Sequence, residues 1–212
     1  MPRFFIASFF AVVSLALCAT APAQDYPTRP LRLIIPLGAG GGGDVFTRAL
    51  ADELSKALRQ PVVVENRPGG ALNIGTRACA EAAADGYTVC VLSSEPMVYN
   101  QFAFKSLPFD PERDFEPISL LFFNTLAEVR GGENYPATWF GLFAPAGTPK
   151  PIIAHLAHEV ARIVDDRDFR QRMYIDRAVE PSGIRLEEFA HFIRDEREAA
   201  ERMVRESGLQ PK

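Results

Sequence analysis

Two glycine-rich stretches and a pair of serines carry the chemistry this sequence offers. The first stretch, Gly38-Ala39-Gly40-Gly41-Gly42-Gly43-Asp44, follows an apolar run that begins at Leu31 and ends at Pro36, and it opens a segment of helical periodicity. Strand, turn and helix in immediate succession begin a βαβ unit. Glycines let the main chain take positive φ angles and bare its N–H groups, while the helix start adds partial positive charge, so this turn is built to hold an anion. Asn66-Arg67-Pro68-Gly69-Gly70-Ala71-Leu72-Asn73-Ile74-Gly75 repeats the device between a β-branched run and an Ala-rich helical stretch. Successive strand-to-helix loops of a right-handed parallel arrangement leave the same sheet edge, so the two bends can converge on one ligand. Ser93-Ser94-Glu95, after the next strand, adds hydroxyls at that edge.

Other chemistries fit these residues less well. Gly38 to Gly43 also satisfies G-x-G-x-x-G, and Glu65 ends the next strand where a ribose-binding acid belongs, which is the dinucleotide alternative. Against it, the carboxylate of Asp44 would crowd a pyrophosphate at the helix start, and Asp44 is expected to cap that helix. No G-K-[ST] follows, so a P-loop is excluded. His155 and His158 share a helix face without a third ligand, and no serine sits in a G-x-S-x-G elbow. Neither a catalytic constellation, a metal site nor a cofactor is called for. Cys79 and Cys90 are expected to be two independent core cysteines, although an oxidising compartment would permit a bridge between them.

The elements that must position these residues follow in order. A helix is predicted over Asp44 to Leu58, with Val45, Ala49, Leu50, Leu54 and Leu58 on its apolar face. Val62 to Glu65 reads as a strand, Leu72 to Ala83 as a helix, and Tyr87 to Leu92 as a third strand. Pro96 to Pro117 reads as an irregular, packed loop. Ile118 to Phe123 and Thr138 to Pro145 are strands flanking a short polar passage. Helices follow at Pro151 to Val164 and Phe169 to Ile175, with a charged amphipathic one from Leu186 to Ser207. Trp139 is expected in the core rather than on a ligand.

The chain has 212 residues, 47% hydrophobic, enough for a sizeable core. Its formal net charge of −4, with scattered basic residues, gives no footprint for nucleic acid. Arg3, the apolar stretch from Phe4 to Ala19 and the small residues Ala21-Pro22-Ala23 read as an export signal over residues 1–23, cut before Gln24. A lipid anchor on Cys18 is disfavoured by Leu17 before it.

A wider pattern then emerges. Tyr26-Pro27 with Arg29-Pro30, Pro36 through Asp44, Val62 through Gly69, Asn73-Ile74-Gly75, Asp85-Gly86-Tyr87-Thr88, Pro108-Phe109-Asp110 with Asp114-Phe115, and Trp139 through Pro149 resemble the solute receptors of tripartite tricarboxylate transporters, the Bug-type periplasmic binding proteins. The resemblance implies an α/β fold, a mostly parallel sheet with helices on both faces, corresponding to one lobe of a type II-like periplasmic binding protein. It implies a non-enzymatic periplasmic receptor that captures a small carboxylated metabolite and delivers it to a membrane permease. By motif match the ligand-binding residues are Leu37, Gly38, Ala39, Gly40, Gly41, Asp44, Gly70, Ala71, Asn73, Ser93 and Ser94. Family members are similar to one another in carrying a second lobe between Leu126 and Tyr135. Here residues 24–212 are expected to form a single lobe, with 24–124 its N-terminal part, 125–135 a shortened junction and 136–212 the returning strand and terminal helices. Without the second lobe, carboxylate binding no tighter than about millimolar is expected, on the order of 4 kcal/mol. The alternative is a non-binding remnant or a protein-interaction module.

Overall fold

The structure, a computed structural model, describes residues 26–124, 138–177 and 179–208. The expected export signal and the expected junction at 125–135 lie outside the described residues. The first half alternates strand and helix: β1 (Leu31–Ile35), α1 (Gly42–Leu58), β2 (Val62–Asn66), α2 (Asn73–Ala80) and β3 (Thr88–Ser93). A π-helical turn, Glu95–Tyr99, runs into the short α3 (Asn100–Ala103). The long strands β4 (Phe115–Asn124) and β5 (Thr138–Pro145) precede α4 (Lys150–Asp165) and α5 (Arg167–Arg170), the latter continued by a second π-helical turn, Gln171–Ile175. The two-residue β6 (Glu180–Pro181) and α6 (Leu186–Ser207) complete the order.

One six-stranded sheet, in the order β2-β1-β3-β5-β4-β6, organises all of this. Alternation along β1 sends Leu31, Leu33 and Ile35 to the face that α1 and α4 cover, where Phe46, Leu50, Leu156 and Val160 pack. Ile34 points to the opposite face, filled by Cys79, Met97, Trp139, Phe143, Phe189 and Ile193 from α2, the first π turn, β5 and α6. Helices therefore cover both faces, and Trp139 is fully buried in the core as expected.

The expectation of a mostly parallel sheet is corrected. β1 pairs in parallel with β2 and β3, whereas β5 is antiparallel to both β3 and β4, and β6 is antiparallel to β4. The sheet is mixed because β5 enters between β3 and β4 running the other way. Asn124 pairs with Thr138, so the chain leaves the sheet and returns to it at one place. Since β4 runs in the direction of β1, β2 and β3, that place lies at the edge where the two glycine-rich bends emerge.

The expectation of independent cysteines is also corrected. Cys79 and Cys90 form a disulfide that ties α2 to β3, with their Cα atoms 6.3 Å apart. Direct packing of the helix on the strand brings that separation into the range a bridge requires. Two smaller departures concern local structure. The stretch read as irregular from Pro96 opens with helical turns, and β6 was unread because two residues carry no periodic signal.

Candidate functional site

The C-terminal ends of β1, β2 and β3 lie side by side, with Ile35 opposite Asn66 and Ile34 opposite Cys90. Three loops therefore leave one sheet edge together. Their contact is close: a Cβ on Gly75 would lie 2.7 Å from the Arg67 carbonyl and 2.8 Å from Pro36, so only glycine lets the start of α2 press against both bends. A Cβ on Gly43 would lie 2.7 Å from Leu37 and 3.5 Å from Phe140, and Phe140 pairs with Ser93. Asn100 donates to the Ala71 carbonyl at 2.8 Å and to Asn73 Oδ1 at 2.7 Å, which fastens the segment after Ser94 to the second bend.

The first bend is open to water. Gly38, Ala39, Gly40 and Gly41 are exposed, and a Cβ at Gly38, Gly40 or Gly41 would meet nothing within 4 Å. α1 begins at Gly42 after an extended Gly41 that offers no side-chain cap. Among the described residues, Val45 N–H is the first in this helix to reach a carbonyl, that of Gly41 at 2.9 Å. The N–H groups of Gly42 and Gly43 remain as the unmet donors of a helix start, at its positive end.

Asp44 does not cap α1 from the N-cap position. It is the third helical residue, 2% exposed, and its Oδ2 accepts the Gly40 N–H at 2.8 Å and Arg48 Nε at 3.0 Å. Its Oδ1 accepts Asn66 Nδ2 at 2.7 Å, and that same amide nitrogen also donates to the Leu37 carbonyl at 3.0 Å. Burial opposes the charge of Asp44, but Arg48, Gly40 and Asn66 outweigh it and hold the carboxyl down at about 2. Both oxygens are thus engaged by the protein, and one loop amide with them. Of the predicted residues, Asp44 and Gly40 shape the first bend, and a donor surface of main-chain N–H groups is left around them.

The second bend is left-handed throughout, with φ of 116° at Gly69, 57° at Gly70, 51° at Ala71 and 73° at Leu72. Ala71 and Leu72 carry side chains in a conformation that disfavours them, a strain of order 1–2 kcal/mol each. Asn73 is buried beneath this bend. Ser93 and Ser94 are each 1% exposed, and neither hydroxyl has a hydrogen-bond partner among the described residues. Buried hydroxyls without partners call for water or a ligand. The residues missed by sequence reasoning are Arg48, Asn66 and Asn100. Asn66 stood in plain view in the second bend, but its reach across to Asp44 needs the register of β1 with β2.

The rival features lead elsewhere. Glu65, the expected ribose acid of the dinucleotide alternative, is ion-paired with Arg67 at 2.6 Å and Arg32 at 3.6 Å. His155 packs edge-on against Tyr26. Among the described residues no group of three metal-ligating side chains occurs, and no helix is long and apolar enough to cross a membrane.

Residues 46–129 match the family model described as tripartite tricarboxylate transporter family receptor. The protein BugT of Bordetella pertussis is 41% identical over 117 residues, covering 55% of this chain and 35% of BugT. A UPF0065 protein from the gbd 5′ region of Cupriavidus necator is 36% identical over 145 residues, covering 68% of this chain and 39% of that protein. The chain thus spans less than half the length of these curated relatives. Among solved structures, the periplasmic binding protein BugD aligns with a TM-score of 0.78 at 17% identity, over 88% of this chain and 100% of BugD. R. palustris Rpa4515 with adipate aligns with a TM-score of 0.79 at 18% identity, over 88% of this chain and 100% of that one. MatC from Rhodopseudomonas palustris with bound malate aligns at 0.73 and 19%, over 84% and 100%. At such identities the structures speak for the fold, and the likeness to the family rests on the sequence matches. Through residues 46–129 the chain is similar to the tripartite tricarboxylate transporter family receptors.

Proposed function

We propose that the protein binds a small carboxylate at the edge where β1, β2 and β3 end. The observation that carries this reading is the convergence of the glycine bends, with the unmet Gly42 and Gly43 N–H groups of the helix start, on the unpartnered hydroxyls of Ser93 and Ser94, the Gly40 N–H being held by Asp44. A carboxylate needs several hydrogen-bond donors and a positive local field, and helix starts with glycine bends supply both. Adipate and malate on two of the structural neighbours are in keeping with that ligand class. Asn73, beneath the second bend, and Asp44, locked beneath the first, act as positioning residues.

The bends form an open shelf, whereas good sites enclose most of a ligand. Binding in the millimolar range follows, and calorimetric titration with adipate and with malate tests it. A dissociation constant near 1 mM or weaker, lost on replacing Ser93 and Ser94 with valine, is the expected result. No heat of binding for either acid would favour the remnant reading, and micromolar affinity would mean that the shelf is closed by something else. In this proposal residues 1–23 direct export to the periplasm, residues 24–212 fold as one lobe, and a membrane permease is the partner that receives the ligand. Intact mass of the exported protein, beginning at Gln24, tests the first of these.

A further inference from the structure

A second concavity lies on the far face of the sheet, between α6, the first π turn and the segment before β4. It encloses about 230 Å³, walled by Met97, Phe115, Phe143 and Ile193, all nearly buried. Its one deeply set charge is Arg197, whose side chain is 11% exposed. Arg197 Nε donates to the Met97 carbonyl at 2.9 Å and Nη2 to the Pro111 carbonyl at 2.5 Å. Those are neutral acceptors. The charge partner is Glu112, at 3.7 Å from Nη1, beyond hydrogen-bond distance and with a side chain 64% exposed. Burial pushes the Arg197 guanidinium below its usual range, with Glu112 and Asp110 opposing that shift. Arg194 adds a second positive group to the lining, and Ala190 on the same helix leaves the space unfilled.

Buried charges are ordinarily paired and hydrogen-bonded. A guanidinium presents five donors in a planar fork suited to a carboxylate, and here it faces an apolar, partly aromatic chamber with a loosely held counter-ion. We propose that this chamber is a binding site for a small aromatic monocarboxylate, whose carboxylate displaces Glu112 from Arg197 and whose ring packs against Phe115. Phe115 already meets the buried Phe143 edge-on at 6.4 Å, the packing that a further ring on its open side can extend. The site is separate from the bends: it is built from α6, the π turn and the strand pair β4–β5, and it uses none of the glycine loops.

Benzoate is the probe, in calorimetric titration and ligand-observed NMR on the whole chain. Binding in the range of about 0.1–5 mM is expected for a ligand of this size. Ala190→Trp fills the chamber without touching a hydrogen bond, and weakens benzoate at least 10-fold. Glu112→Gln removes the competing carboxylate from an exposed position, and strengthens it about 3-fold. Arg194→Gln weakens it about 3-fold. The titration is repeated in the Ser93→Val/Ser94→Val background, which removes any benzoate held at the bends: the chamber's share, the part that Ala190→Trp abolishes, persists there whether or not the carboxylate reading at the bends holds. Absence of binding at 20 mM benzoate overturns the proposal, and so does binding that Ala190→Trp and Glu112→Gln leave untouched.

Discussion

The charge of Asp44 is met by Gly40, Arg48 and Asn66 together, and this makes it the keystone of the first bend. Replacement by alanine leaves an N–H, a guanidinium and an amide without their acceptor, at a cost of about 2–3 kcal/mol in urea unfolding. The sign of its pH dependence follows from a folded value near 2 below the ordinary 3.8. Its contribution is complete above about pH 4 and is lost as the pH falls through about 2. Water beside the exposed bend screens the effect, which leaves about 1 kcal/mol. The stability gap between the native chain and Asp44→Asn therefore narrows between pH 4 and pH 2, and an unchanged gap would show that the carboxylate charge does nothing for the fold. The sequence put Asp44 at the helix start correctly and its partners out of reach. Capping preferences are local, whereas Asn66 arrives through strand pairing.

At the scale of elements, the disulfide decides how firmly α2 sits. It joins residues 11 apart and closes a loop that carries the end of α2 and the turn into β3. Closing a loop of that size removes about 3 kcal/mol of unfolded-state freedom. α2 also bears the strained bend at Ala71 and Leu72 on its N-terminal end, so the bridge holds that strain in place. Cys79→Ala/Cys90→Ala is expected to lose about 2–4 kcal/mol in chemical unfolding and to weaken adipate binding, while Ala71→Gly is expected to raise stability by up to about 1 kcal/mol. Thiol titration of unreduced protein lacking residues 1–23 should find no free thiol. A helix and a strand were both legible here from periodicity, but the distance between their cysteines was not, because packing depth is a property of the pair. α6 was legible to its ends, Leu186 and Ser207, since twenty-two residues of amphipathic pattern average out local ambiguity.

For the whole molecule, strand order was the least legible feature. β5 is buried along nearly its whole length, and a run apolar on both sides reads alike whether its neighbours are parallel or antiparallel. Its direction nevertheless fixes where the chain leaves and re-enters the sheet, at the bend-bearing edge. With the described residues alone around it, the shelf gives a ligand one wall, and stability linkage turns that geometry into a number. At 10 mM adipate and a dissociation constant of about 1 mM, the folded state gains about 1.4 kcal/mol. For a chain of this size that raises the melting temperature by roughly 3–6 °C. Trp139 is buried away from solvent, so its emission stays constant through the same titration. A rise well above 10 °C, or a Trp139 emission change that tracks binding, would show the ligand enclosed on a second side and the one-walled reading of this edge to be wrong.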